Sequence, residues 1–492
     1  MEKINGRKLS LIFIFILILL VIALLVGKFT YSYLGPTISD DLETQGEVTA
    51  SGDTLIFTKG NNLSLSATTD NFTTGGTNLT STTNPKVKLV ASTKTNQADA
   101  TYYVGVLIKN NTYVYTTSGN TPELILTIKD EKGNNVTSGV DGLTYVTSGG
   151  VSGFDVTGKT GLFNIKTDYP ISTTSSSAGT THTWTFTLTF VNLGTDQSEN
   201  ENASMDLDIY LQKTKVPSTL ADVCTSGVNL ADCIVTLNDK STSSVSNIYY
   251  HDSTLANGAG DNSYRYAGAS DSVNNYICLG SDTTTCPDAN LFRIIGVFGD
   301  QTKVIRAKSV GNKQWHTSND NTWSSSSLNT YLNGKYLTSL GTIAEKIATT
   351  TWKVGGGTMD NIEKTVPKTA YQYEVGAKAS TTTYDAKIGL MYVTDYYYGA
   401  SSSAWTLVGY NSSDATKGYR AATSINWLYL GDNEWTITRL SGNYNVVNVQ
   451  FFGDVNFTGV SNYIAVRPSF NLLSSTTYVS GSGSMSDPVR VN

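Results

Sequence analysis

The alternation of apolar and polar residues over 51–216 constrains this chain more than any other feature. Tyr102, Val104, Val106 and Ile108 alternate with smaller or polar neighbours, and Leu124, Leu126 and Ile128 do the same. Trp184, Phe186, Leu188 and Phe190 interleave with Thr183, Thr185, Thr187 and Thr189, and Met205, Leu207, Ile209 and Leu211 interleave with Asp206, Asp208 and Tyr210. A period of two is the strand period, with one face hidden and the other wet. Gly/Asn/Thr turns separate the runs, for example Lys132-Gly133-Asn134 and Gly75-Gly76. Many strands with no helical pattern between them predict an antiparallel sandwich.

Composition narrows the function classes. The 492 residues carry a net charge of −6, and only 15% are charged. An acidic chain without a Lys/Arg run cannot neutralise phosphates, so nucleic acid is excluded as a partner. A hydrophobic content of 39% is enough to build cores, which argues against disorder.

Residues 1–10 hold Lys3, Arg7 and Lys8 against one acid, Glu2, and read as a cytoplasmic tail. Residues 11–27 are free of charge and as a helix would span about 25 Å, near the lower limit for a bilayer. Phe29, Tyr31 and Tyr33 follow as an interfacial belt would. A cleaved signal peptide is the competing reading. The length of the run and the lack of a small-x-small site favour an uncleaved anchor. The expected localisation is a single-pass cell-membrane protein with its bulk outside. Four cysteines in two close pairs, Cys224/Cys233 and Cys278/Cys286, then suggest disulfides. Three connectivities exist, and the short loops 224–233 and 278–286 are the simplest. Zinc would need CxxC spacing or histidine partners, which His182, His251 and His316 do not supply. Four free thiols remain the second alternative.

The expected organisation is a polar stalk over 28–50, the sandwich over 51–216, a connector over 217–245 and a second domain over 246–492. The second domain mixes a hairpin (Phe292–Phe298 and Lys303–Ala307), a helix capped by Ser327 and a short helix at Ile343 and Ile347. Strands follow at Ile388–Val393, Trp435–Leu440, Val446–Phe452 and Ile464–Leu472.

The stretches DNSYRYAGA (261–269), NLFRIIGVFGDQTKVIRA (290–307), KIGLMYVTDYYYGA (387–400), NEWTITR (433–439) and AVRPSFNL (465–472) resemble uncharacterised surface proteins of gut Firmicutes. A Trp strand followed by Val-Arg-Pro-Ser-Phe is also similar to the C-type-lectin-like fold in its formylglycine-generating-enzyme-like branch. That likeness implies a structural role for Arg467. The chain lacks the Glu-Pro-Asn, Gln-Pro-Asp and Trp-Asn-Asp motifs, so calcium-bridged sugar binding does not carry over. All cysteines lie early, so the oxidase chemistry does not either. The fold class expected from pattern and resemblance together is mainly β: an N-terminal transmembrane helix, a β-sandwich (Ig-like) domain, then an α+β C-type-lectin-like domain. The segment from Thr438 to Val466, rich in Asn, Tyr, Phe and Gly, is similar to the variable region of lectin-fold proteins diversified by retroelements. An ordinary β-meander explains the same residues.

Catalytic constellations are sparse. No Gly-x-Ser-x-Gly or HExxH occurs. His182 reads as a solvated strand residue and His251 as a loop residue. The nearest acid pairs, Asp252/Asp261 and Asp432/Glu434, are explained as well by surface loops. No enzyme activity, metal or cofactor is therefore expected. Aromatics crowd the last hundred residues, and a Tyr offers large contact area with few rotors and one polar handle. The expected ligand-binding residues are Tyr397, Tyr444, Asn445, Asn448, Asn456 and Tyr463. The expected function is a cell-surface adhesion protein whose head recognises a glycan or protein. The alternatives are a structural envelope component, a diversified receptor or, last, a surface polymer hydrolase.

Overall fold

The structure is a computed structural model that describes residues 44–48 and 53–492, except 62, 64, 66–68 and 141. The expected tail (1–10) and membrane helix (11–27) lie outside the described residues. Among the described residues no helix is long and apolar enough to cross a membrane. That corrects the expected fold class, which opened on such a helix. The architecture that is present is mainly β, built on several sheets.

The end of the expected stalk is already sheet, because Thr44–Val48 pairs antiparallel with Thr54–Thr58. The first body contains three sheets where a two-sheet Ig-like sandwich was expected. In the first, Thr44–Val48, Thr54–Thr58, Lys86–Val90 and Thr180–Thr183 lie side by side. The second orders Leu79–Thr83, Thr185–Phe190, Leu124–Lys129, Val151–Asp155 and Thr144–Ser148. The third is Met205–Gln212, Ala98–Asn111 and Gly161–Thr173.

The first two sheets are joined at a corner. The chain leaves Leu79–Thr83 for Lys86–Val90 at Asn84-Pro85, and leaves Thr180–Thr183 for Thr185–Phe190 at Trp184. The Trp184 amide donates to the Pro85 carbonyl across that corner (3.0 Å), and the indole is fully buried. Pro85 has no N–H to offer a ladder, so a proline is tolerated where the strand breaks. The alternating residues meet in one core: Tyr102, Val104, Val106, Ile108, Leu124, Leu126, Ile128, Trp184, Phe186, Leu188 and Phe190 are all buried there. Inside it the Trp184 indole donates to the Tyr102 hydroxyl (2.8 Å), which lies 2.9 Å from His182 Nδ1. His182 is thus half-buried in an aromatic network rather than solvated.

The connector over 217–245 is corrected too. Leu220, Leu230, Cys233, Ile234 and Leu237 belong to the core of the second body. The helix Leu230–Lys240 buries Leu230, Ala231, Cys233, Ile234 and Leu237 while keeping Asp232, Asn238 and Lys240 on its outer side. A small apolar cluster of Tyr103, Leu107, Tyr210, Val216 and Val245 bridges the two bodies.

The second body centres on Leu291–Phe298, a strand buried along all but its last residue. It pairs with Gln301–Arg306 on one edge and with Tyr264–Tyr266 and Tyr276–Cys278 on the other. These belong to an eight-stranded sheet, and a five-stranded sheet carries Glu434–Arg439, Asn445–Val449 and Val455–Gly459. The expected strand Ile388–Val393 is not formed. Gly389 makes an isolated bridge to Ser469, and the helix Val393–Gly399 begins instead. The helix start near 327 is present, but its cap is Ser326, whose Oγ accepts from the Asn329 amide (3.0 Å). Cys224–Cys233 and Cys278–Cys286 form the two disulfides.

Candidate functional site

The antiparallel register of Asn445–Val449 with Val455–Gly459 decides where the expected binding residues point. Asn448 lies opposite Asn456, and Asn445 lies opposite Gly459. Side chains alternate along a strand, so Asn448 and Asn456 share one face and Asn445 lies on the other. Asn448 is only 2% exposed, its amide donates to the Val449 carbonyl (3.3 Å), and its Oδ1 has no partner. Asn456 is half-buried, and its Oδ1 accepts from the Phe457 amide (2.9 Å). Tyr397 is a correction. Its place in a helix walled on all sides leaves it fully buried, with its hydroxyl donating to the Ile362 carbonyl (2.7 Å). The structure therefore does not join the six expected residues into one surface.

It does expose Tyr444 (60%) and Tyr463 (67%) at one end of this hairpin. The turn before Tyr444 is pinned from inside by Asn321, whose amide donates to the carbonyls of Leu440, Asn443 and Asn445 at 2.8, 2.8 and 2.9 Å. The turn before Tyr463 is held by the Gln314 amide on the Ser461 carbonyl (2.8 Å). Half-buried Asn445 stands beside them.

The opposite end, about 17 Å away for strands of this length, carries a second aromatic pair. Phe451 and Phe452 are 54% and 53% exposed, in an edge-to-face contact at 5.1 Å. Arg420 lies over the Phe452 ring at 4.1 Å, and the Tyr429 hydroxyl donates to the Phe451 carbonyl (2.6 Å). The turn itself is closed by the Gln450 amide on the Asp454 carbonyl (2.7 Å). Sequence reasoning missed Phe451. The signal was present in Gln450-Phe-Phe-Gly-Asp454: two adjacent aromatics cannot both face inward on a strand, and the glycine turn places both at a tip.

Behind the hairpin lie the buried charges that hold it. Arg467 donates from Nε and Nη2 to both oxygens of Glu434 (2.7 and 2.7 Å) and to the Leu428 carbonyl (2.6 Å). Burial pushes the Glu434 carboxyl up, while the Arg467 charge opposes that shift. Glu434 is thus the ion-pair partner of Arg467 inside a strand, where a surface loop was expected. Asp261 is likewise bound to Arg265 at 2.6 Å, and Asp252 accepts from Thr254 in an exposed turn. Among the described residues no group of three or more His, Cys, Asp or Glu could hold a metal ion.

His251 is fully buried, accepts from the Ala259 amide at Nδ1 (3.1 Å) and packs edge-on to Tyr398. Burial, helped by the Arg265 charge and opposed by Asp261, pushes its pKa down to about 3. The fold thus favours neutral imidazole, and the unfolded chain takes the proton first as pH falls below about 6.5. Thermal melts should lose stability from there towards pH 4. A His251→Asn variant, which keeps an acceptor, should flatten that acid slope; an unchanged slope would assign it to other groups.

Residues 299–474 match a family model described as a domain of unknown function (DUF6273). No curated protein and no solved structure matches the chain. The match covers the whole hairpin with its four exposed rings, and leaves the first body and the helix Leu230–Lys240 outside.

Proposed function

We propose that this is an extracytoplasmic binding protein whose second body docks a protein partner through the aromatic ends of the hairpin 444–463. One observation carries the reading. Among the described residues, every aromatic ring exposed by more than half (Tyr444, Phe451, Phe452 and Tyr463) lies within those 20 positions. Large rigid rings beside an arginine are the side chains that dominate protein contacts. Two of the four are phenylalanines, with no polar handle for a sugar hydroxyl, so a protein surface suits them better than a glycan. The two disulfides suit an oxidising compartment. The lectin-like resemblance stays a proposal that this reading does not need.

The test is a protein array and a glycan array probed with the chain. Binding to a protein target is expected, weakened roughly 30-fold by Phe451→Ala together with Phe452→Ala and less by Tyr444→Ala with Tyr463→Ala, at unchanged melting temperature. Binding only to glycans, or protein binding that survives both double variants, would refute the reading.

A further inference from the structure

We propose that a second site, a cavity walled by Trp352, Tyr371, Tyr392 and a buried chain of charges, takes one neutral, hydroxyl-rich ring such as a pyranose. This goes beyond the hairpin reading and does not depend on it. The cavity measures ≈ 180 Å³, smaller than the ~300–1,000 Å³ of a drug-sized pocket and suited to a single ring. Phe298 completes the aromatic lining.

The polar wall alternates in sign. Asp261 Oδ2 meets Arg265 Nη2 at 2.6 Å, Arg265 Nη1 lies 3.7 Å from Asp395 Oδ1, and Lys303 Nζ lies 2.5 Å from Asp395 Oδ2. The side chains of Arg265, Lys303 and Asp395 are 3%, 6% and 2% exposed. Three elements bring these groups together: the strand Tyr264–Tyr266, the strand Gln301–Arg306 and the first turn of the helix Val393–Gly399. Glu374 fixes that turn by accepting from the Val393 and Thr394 amides (2.8 and 2.9 Å).

Hydrogen-bonding capacity is left over. An ammonium has three protons, and among the described residues Lys303 Nζ donates only to Asp395. Arg265 spends Nε on Ser263 and Nη2 on Asp261, which leaves Nη1 with the long contact to Asp395 Oδ1. Buried donors without acceptors are costly, so a ligand that fills them gains from each.

The pairing also selects the ligand's charge. An anion or a cation would have to pull apart an ion pair that is out of water, at high cost. Asp395 Oδ2 already accepts from Lys303 and from the Tyr392 amide (2.8 Å), so a neutral hydroxyl, which both donates and accepts, uses the spare protons and the lone pairs of Asp395 Oδ1 without separating charge. Lys303 Nζ stands 4.5 Å over the Tyr392 ring and Arg265 4.7 Å over Phe298, so each of these rings has one face left for the C–H face of such a ligand.

The test uses the whole chain in saturation-transfer NMR and calorimetric titration, with glucose, galactose, mannose and N-acetylglucosamine as probes and glycine and phosphate as charged controls. At least one sugar should bind with a Kd on the order of 1 mM, and neither control should bind. Val375→Trp, which fills the cavity from the end of the helix Pro367–Glu374, should abolish binding. Lys303→Met should weaken it tenfold or more, and Phe451→Ala with Phe452→Ala should leave it unchanged. Either cavity variant that keeps the wild-type melt decides the matter. Failure of all four sugars to bind, binding of the charged controls alone, or sugar binding that survives Val375→Trp would overturn the proposal.

Discussion

Arg467→Ala is expected to cost about 3–5 kcal/mol, which lowers the melting temperature of a body this size by roughly 10 °C. The mechanism is the charge left behind. Glu434 is 0% exposed and Arg467 2%, so water cannot replace the guanidinium. Its two bonds to Glu434 and one to the Leu428 carbonyl disappear together. Removing both charges is a different matter. Arg467→Met with Glu434→Met replaces the pair by apolar groups and should recover most of the loss, because the desolvation of both ions is removed as well. Chemical denaturation of the single and double variants measures this, and a double variant no better than Arg467→Ala would show that the pair holds the fold through geometry rather than charge. Glu434 and Arg467 lie on either side of the aromatic hairpin in sequence, so the single variant should also loosen Tyr444 and Phe452 and weaken partner binding.

The first body was largely legible because one signal governs it. Residues such as Leu188 and Phe190 are buried where their period places them, since a strand has only two faces and one is closed. The period did not reveal that this one run passes into another sheet at Trp184, because a corner costs a single residue and leaves the alternation intact. The connector was misjudged for a related reason. Its helix is short and ends in Asn238-Asp239-Lys240, and only the partner sheet shows that Ile234 and Leu237 finish a core. The tyrosines of the helix Val393–Gly399 were ambiguous on principle. Tyr is apolar in body and polar at its tip, so Tyr397 could face either way, and it is a carbonyl 35 residues earlier, on Ile362, that lets it stay inside. Tyr444 and Tyr463 were legible because Asn and Gly flank them in turns. The charge chain of Asp261, Arg265, Lys303 and Asp395 was not, since Lys303 and Asp395 lie far in sequence from the Asp261/Arg265 pair and only the topology joins them.

Glu363→Met should stabilise the protein increasingly as pH rises, by about 5 kcal/mol more at pH 9 than at pH 4. Glu363 is 0% exposed, and neither carboxyl oxygen has a hydrogen-bond partner. Burial raises its pKa to about 8, against the pull of the neighbouring Lys364 charge. The sign follows from which state holds the proton. Below the unfolded value, near 4.3, both states are protonated and the group costs the fold only its buried polarity. Between that value and about 8 the unfolded chain releases the proton while the folded one keeps it, so stability falls with rising pH. Above about 8 the fold would have to bury a carboxylate, and the full penalty is in force. Methionine matches the length of the side chain and removes the titration, so the difference between variant and wild type should trace that window. Paired denaturation curves at pH 4, 6, 8 and 9 measure it. A difference that stays flat across the four would mean that the carboxylate finds a partner on ionising, which requires the segment after Met359–Ile362 to move. The same segment accepts from Tyr397 and Tyr410, so that movement would also unseat the helix from which Asp395 reaches Lys303.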